Sequence, residues 1–153
     1  MMYEMSDTLM KGYTLSRGNP FLWTYDGNEI RIVKEDKNGI KYLFTFSIKE
    51  IDGLMKYIKG KGKVYLANSV SKVKDGSEKE GIGNYIYKNI EENPSLVQTA
   101  SQLVSILHNA NILYYNGKKK GMEFWINEPD WKNQLLKHIE NSNTIRLIFR
   151  QKR

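Results

Sequence analysis

Cysteine is absent from this 153-residue chain, which excludes disulfides and thiolate metal sites. Histidine is scarce. His108 and His138 are the two, and neither has an acidic residue at metal-ligand spacing. Such a set predicts no zinc site, and no metal or other cofactor is expected. No apolar run approaches the ~20 residues of a membrane span, so no membrane partner is expected. Residues 1–10 carry Glu4 and Asp7 where a signal peptide has a basic segment followed by an apolar one. The expected location is cytoplasmic. Gly81-Ile82-Gly83 holds too little glycine for a phosphate loop, and no elbow sequence presents a nucleophilic serine. Acid is missing locally as well: residues 93–122 contain neither Asp nor Glu, and nor do residues 53–74.

What the chain has instead is positive charge. Its 24 Lys and Arg against 17 Asp and Glu give a formal net charge of +7. Residues 1–76 hold 13 basic and 9 acidic side chains, and residues 77–153 hold 11 and 8. The surplus is clustered within each half. Lys56, Lys59, Lys61, Lys63, Lys72 and Lys74 lie in the first acid-free run, and Lys118, Lys119 and Lys120 in the second. Arg146, Arg150, Lys152 and Arg153 form a third group. Such a surface attracts polyanions, and it also keeps a protein soluble. Lysine, isoleucine, asparagine and tyrosine are abundant, as an AT-rich genome dictates, which points to a microbe or a mobile element and accounts for part of the charge.

With 40% hydrophobic residues, the length suits one globular domain with a sizeable core. Residues 1–19 show no periodicity and read as an N-terminal arm. From Phe21 the pattern is β, over residues 21–25, 29–33 and 40–46. Asp26-Gly27 and Asn38-Gly39 separate these strands and permit the positive φ angles of hairpin turns. Ile40, Tyr42, Phe44 and Phe46 alternate with Lys41, Leu43 and Thr45, so one face of this three-stranded meander is expected to be buried. Ser47 and Glu50 have capping-box spacing. Ile48, Ile51, Leu54, Met55 and Ile58 then predict a helix over residues 48–59 that stops at Gly60. Residues 63–68 predict a strand, 69–80 a loop and 83–92 a helix.

Asn93-Pro94 interrupts, and Pro94 suits the first turn of the next helix, running to residue 111. Residues 112–126 predict a hairpin turning at 116–121. Residues 127–130 start a further helix with Trp131, Leu135 and Ile139 inward, and residues 144–149 predict a last strand. The class is α+β, one domain over residues 20–153 with sub-lobes at about 20–76 and 77–153. The order hairpin, helix, strand occurs twice, over residues 29–66 and 112–147. A duplicated ββαβ unit therefore competes with the plainer account, in which any helix-then-strand unit spaces its leucines and isoleucines this way.

The helix from Pro94 carries Gln98, Gln102, Ser105 and Asn109 on one face, away from the stripe of Leu96, Ala100, Leu103 and Leu107. Exposed helix faces ordinarily carry Lys and Glu; this face carries neither. Gln and Asn pair with adenine in a bidentate way, and Ser donates to bases or phosphates. Burial of the helix on two sides is the competing reading. The turn that follows holds Lys118, Lys119 and Lys120, enough to neutralise two or three phosphates. Lys61 and Lys63, near Tyr57 and Tyr65, add cations from the first sub-lobe.

Helix, helix, strand, glycine-containing basic turn, strand: in this pattern residues 83–126 resemble winged helix-turn-helix DNA-binding domains. The resemblance implies that residues 83–92 are the first helix, that residues 99–112 lie where the recognition helix does, and that Lys118, Lys119 and Lys120 form the wing on backbone phosphate. The usual small residue between the two helices is absent. Either Gln98-Thr99 makes the turn, or residues 95–111 are one helix.

The expected function is thus a non-enzymatic DNA-binding protein whose partner is duplex DNA. A protein-binding inhibitor or adaptor is the alternative, since small basic chains without motifs act through a surface. A third reading is a magnesium-dependent nuclease using Asp26, Glu35 and Lys37. Against it, Asp26 and Asp36 fall in turns, where Asp is favoured for local hydrogen bonds.

Overall fold

Aspartate shapes both turns of the meander. Asp26 Oδ1 accepts from the backbone N–H of Asn28 at 2.8 Å and of Glu29 at 3.1 Å, while Gly27 takes a φ of +91°. Asp36 Oδ1 does the same for Asn38 and Ile40, both at 2.9 Å. These local bonds are the reason Asp precedes the turn glycine. The structure, a computed structural model, describes residues 9–151, with side chains as far as residue 142.

The expected meander is present as β2 (Pro20–Tyr25), β3 (Glu29–Glu35) and β4 (Lys41–Ser47). A further strand, β1 (Met10–Tyr13), pairs antiparallel with β2, setting Met10 opposite Trp23 and Tyr13 opposite Pro20. The segment read as an arm therefore supplies an edge strand. Four residues with alternating burial are too few for the period to register in the sequence. The sheet order is β1-β2-β3-β4, with Trp23, Tyr25, Ile30, Ile32 and Phe46 buried on its inner face. The alternation of residues 40–46 is covered only at its Phe46 end; Tyr42 and Ile40 are exposed.

The Ser47–Glu50 capping box forms, with bonds of 3.1 and 2.9 Å, and starts α1 (Ile48–Lys61). The helix passes through Gly60 and ends at Gly62, whose φ of +82° suits a C-terminal cap. Ile51, Leu54, Met55 and Ile58 are buried. Then follow β5 (Val64–Tyr65) and α2 (Val70–Asp75), a short helix where a loop was expected. Next come α3 (Ile82–Asn89), α4 (Pro94–Gln98), α5 (Ala100–Asn109), β6 (Leu113–Tyr115) and β7 (Glu123–Ile126).

The second sheet has the order β5-β7-β6, all antiparallel. β5, assigned by sequence to the first sub-lobe, thus joins the sheet of the second. Nothing in a two-residue strand encodes its partner. Both sheets and the helices share one continuous core, and the class is α+β.

The last helix, α6, spans Trp131–Gln151. The strand expected over residues 144–149 is absent because the chain after Ile139 holds neither Gly nor Pro, and a helix once nucleated propagates. The second ββαβ unit thereby lacks its final strand, and the duplication does not hold. Trp131 fastens this helix: its Nε1 donates to Asp52 Oδ1 of α1 at 2.8 Å, and its ring lies 5.6 Å from that of Tyr25. Among the described residues no helix is long and apolar enough to cross a membrane. Residues 1–8, Lys152 and Arg153 lie outside the described residues, and the side chains of Arg146 and Arg150 lie outside those described.

Candidate nucleic-acid interface

The polar helix of the sequence is two helices, broken at Thr99. The Thr99 hydroxyl donates to the Ser95 carbonyl at 2.9 Å, and Asn93 caps α4 by accepting from Ser95 N at 3.0 Å. The break sets Gln98 at the end of α4 and Gln102 in the first turn of α5. Both line a groove of about 1090 Å³ between the helix pair and one end of the four-stranded sheet, and Lys119 of the β6–β7 turn lines it too. Lys118, Lys119 and Lys120 are all exposed. Asn116 holds their turn, its Nδ2 donating to the Gly121 carbonyl at 3.0 Å and its Oδ1 accepting from Lys118 N at 3.2 Å. Gln98, Gln102 and Lys119, chosen from sequence, are thus brought together.

Ser105 is not part of this surface. It is fully buried, and its hydroxyl donates to the Tyr13 carbonyl of β1. Asn109 donates from Nδ2 to Ser105 Oγ at 3.3 Å and borders a second cavity of about 270 Å³ with Trp23 and His138. The expected four-residue face is halved because β1 lies across α5. Lys61 and Lys63 do not line the groove. Lys61 Nζ is 2.6 Å from Glu80, and Lys63 Nζ is 5.3 Å from the centre of the Trp125 ring.

The histidines are placed by packing. His108 Nδ1 is 3.0 Å from the Leu113 carbonyl, and its ring meets the Tyr115 ring edge-on at 4.7 Å. His138 stacks on Trp23 at 6.2 Å, and burial holds its pKa below the ordinary imidazole value. The nuclease constellation does not assemble. Asp26 precedes β3 and Glu35 ends it, which separates them by about 20 Å at ~3.3 Å per residue. Partial burial acts to raise the Asp26 pKa, but bonds from Asn28 and Glu29 and the charge of Arg31, 3.0 Å away, together hold it below the usual carboxylate value. Among the described residues no three His, Asp or Glu side chains are placed to hold a metal ion.

The sheet contributes cations that the sequence reading did not select. Lys11, Arg17, Lys34 and Lys41 line the groove opposite the glutamines, and Glu35 is the one acid in its lining. None of these four, nor Lys119, has an ion-pair partner among the described residues. Lys61, Lys132 and Arg31, all outside the groove, are paired. Lys34 is half-buried with its Nζ 5.2 Å from the centre of the Phe44 ring, and burial pushes its pKa below the ordinary lysine value. Gln102 Oε1 is shielded from solvent and has no hydrogen-bond partner among the described residues. One signal was available in advance: the hairpin register that pairs Glu35 with Lys41 and Lys34 with Tyr42 puts Lys34 and Lys41 at one end of the sheet. Lys11 and Arg17 gave none, lying in a segment without visible periodicity.

No family model, curated protein or solved structure matches the chain.

Proposed function

We propose that this chain is a non-enzymatic DNA-binding protein that meets backbone phosphates with Lys118, Lys119 and Lys120 and reaches bases with Gln98 and Gln102. One observation carries the reading: Lys119 and the two glutamines line the same groove, all supplied by a stretch of chain without acid. Cations position such a protein on phosphates, while amides distinguish bases. The order α3, the α4–α5 pair, β6, turn, β7 supports the likeness to winged helix-turn-helix domains over residues 83–126. The base-reading role falls to residues 98–102, because β1 covers the rest of α5.

The test is fluorescence anisotropy with labelled duplex and single-stranded oligonucleotides between 50 and 200 mM salt, as in ordinary salt titrations. Lys118→Ala/Lys119→Ala/Lys120→Ala lowers affinity and reduces the slope of log K against log salt by about 2–3. An affinity undetectable at low salt, or unmoved by the triple substitution, refutes the reading.

A second reading, a protein-binding inhibitor or adaptor, is favoured by one feature. Leu43 of β4 is 60% exposed, in register with Val33 and Leu22, which also line the groove. Co-purification of a single protein, abolished by Leu43→Asp and unaccompanied by any DNA binding, would decide for it.

A further inference from the structure

We propose that the groove between the sheet and the α4–α5 pair takes a single strand of DNA rather than a duplex. This rests on the DNA-binding reading and names the form of DNA that the site prefers. Shape is the first argument. A duplex is read by convex elements that enter its grooves, whereas a concave basic channel tracks one backbone. The groove's volume of about 1090 Å³ is just above the range of small-ligand sites, roughly 300–1,000 Å³.

The lining is the second argument. It is mixed, with Phe21, Leu22, Val33 and Met122 among Lys and Arg side chains that have no ion-pair partner among the described residues. A single strand is amphipathic in the same way, presenting phosphates and bare base faces together. In a duplex those faces are stacked away.

Lys34 supplies the third argument. It is half-buried against the Phe44 ring and has no ion-pair partner among the described residues. Partly desolvated cations of this kind are stabilised by an anion. Lys34 does not lie on the exposed hairpin tip, so the wing alone does not account for it.

The experiment compares a labelled 12-nucleotide strand with a 20-base-pair duplex. Lys34→Gln/Lys41→Gln is expected to weaken the strand about tenfold, as loss of two phosphate contacts implies, and to change duplex affinity less than twofold. Because Lys34 is half-buried, Lys11→Gln/Lys41→Gln, at two exposed positions, repeats the measurement without touching the core. Equal weakening of both DNAs, or an unchanged strand affinity with both variants, overturns the proposal. So does displacement of the strand by polyglutamate of equal charge, which would mark an acidic protein as the occupant. Lys118→Ala/Lys120→Ala keeps Lys119 in the groove and reports on the wing separately. If neither DNA responds to it, the wing reading fails while the groove result still stands or falls on its own variants.

Discussion

The hydroxyl of Ser105 donates to the main-chain carbonyl of Tyr13 at 2.5 Å and so joins the middle of α5 to the edge strand β1. The bond spans a sequence separation of 92 residues. Ser105→Ala leaves that carbonyl, and the Asn109 amide beside it, without their partner. The expected cost is about 1–2 kcal/mol, or a melting temperature lower by about 2–4 °C per kcal/mol. DNA affinity is expected to stay within twofold of wild type. Gln102→Ala should show the reverse, a weakened complex and an unchanged melting temperature. Calorimetry and anisotropy on the two variants check both halves, and the opposite pattern would return Ser105 to the interface.

The basic clusters separate by position, since Lys119 lines the groove and Lys61 and Lys63 do not. Lys61 is paired with Glu80, an exposed bridge whose contribution to stability is small. Lys63 lies against Trp125. Lys61→Ala/Lys63→Ala is therefore expected to leave the salt slope of DNA binding within experimental error, where the hairpin-tip variant reduces it. A loss as large as the tip's would place a second phosphate track along the end of α1.

Local chemistry was readable and distant pairing was not. Asp-Gly, Asn-Gly and the Ser47–Glu50 box acted within a few residues, so the meander and the start of α1 fell where the pattern put them. β1, the sheet assignment of β5, and α6 beyond Ile139 depend on neighbours far along the chain. The same limit governed the site. Spacing put Gln98 and Gln102 on one face and composition marked Lys119, and the fold brings all three to the lining of one groove. Ser105 looked equivalent to them because a helical period gives a face, while only the fold says that β1 occupies it.

Gly83 lets α3 approach the backbone of residues 66–68. Its N–H donates to the Leu66 carbonyl at 2.8 Å, and an added Cβ would strike the Ala67 carbonyl and Asn68 Cα. Both obstacles are main chain and cannot swing aside. Gly83→Ala is expected to destabilise by about 1–3 kcal/mol, the usual range for overpacking. It is also expected to weaken DNA binding, because Asn68 holds Ser101 at 2.9 Å on the wall of the groove. Gly60→Ala makes the contrasting case. Gly60 is exposed within α1 with open space around its Cα, so the change should stabilise by roughly 0.5–1 kcal/mol. Paired denaturant titrations test the contrast, and equal signs would contradict it.

His138 gives stability a pH dependence of definite sign. Its ring lies nearly parallel to Trp23, 10° between planes, in the small cavity shared with Lys11 and Ser142. Burial disfavours the imidazolium, so the folded pKa lies below the unfolded value of 6.5. Above pH 6.5 the ring is neutral in both states and its packing stabilises in full. As pH falls through 6.5 the unfolded chain takes up the proton first, and stability declines until the folded pKa is passed. Melting at pH 5.5 should therefore occur below melting at pH 7.5. His138→Phe keeps an aromatic ring against Trp23 and removes the titration, so its melting temperature should change less over the same interval. A variant whose pH dependence matches that of wild type would show that other groups set it.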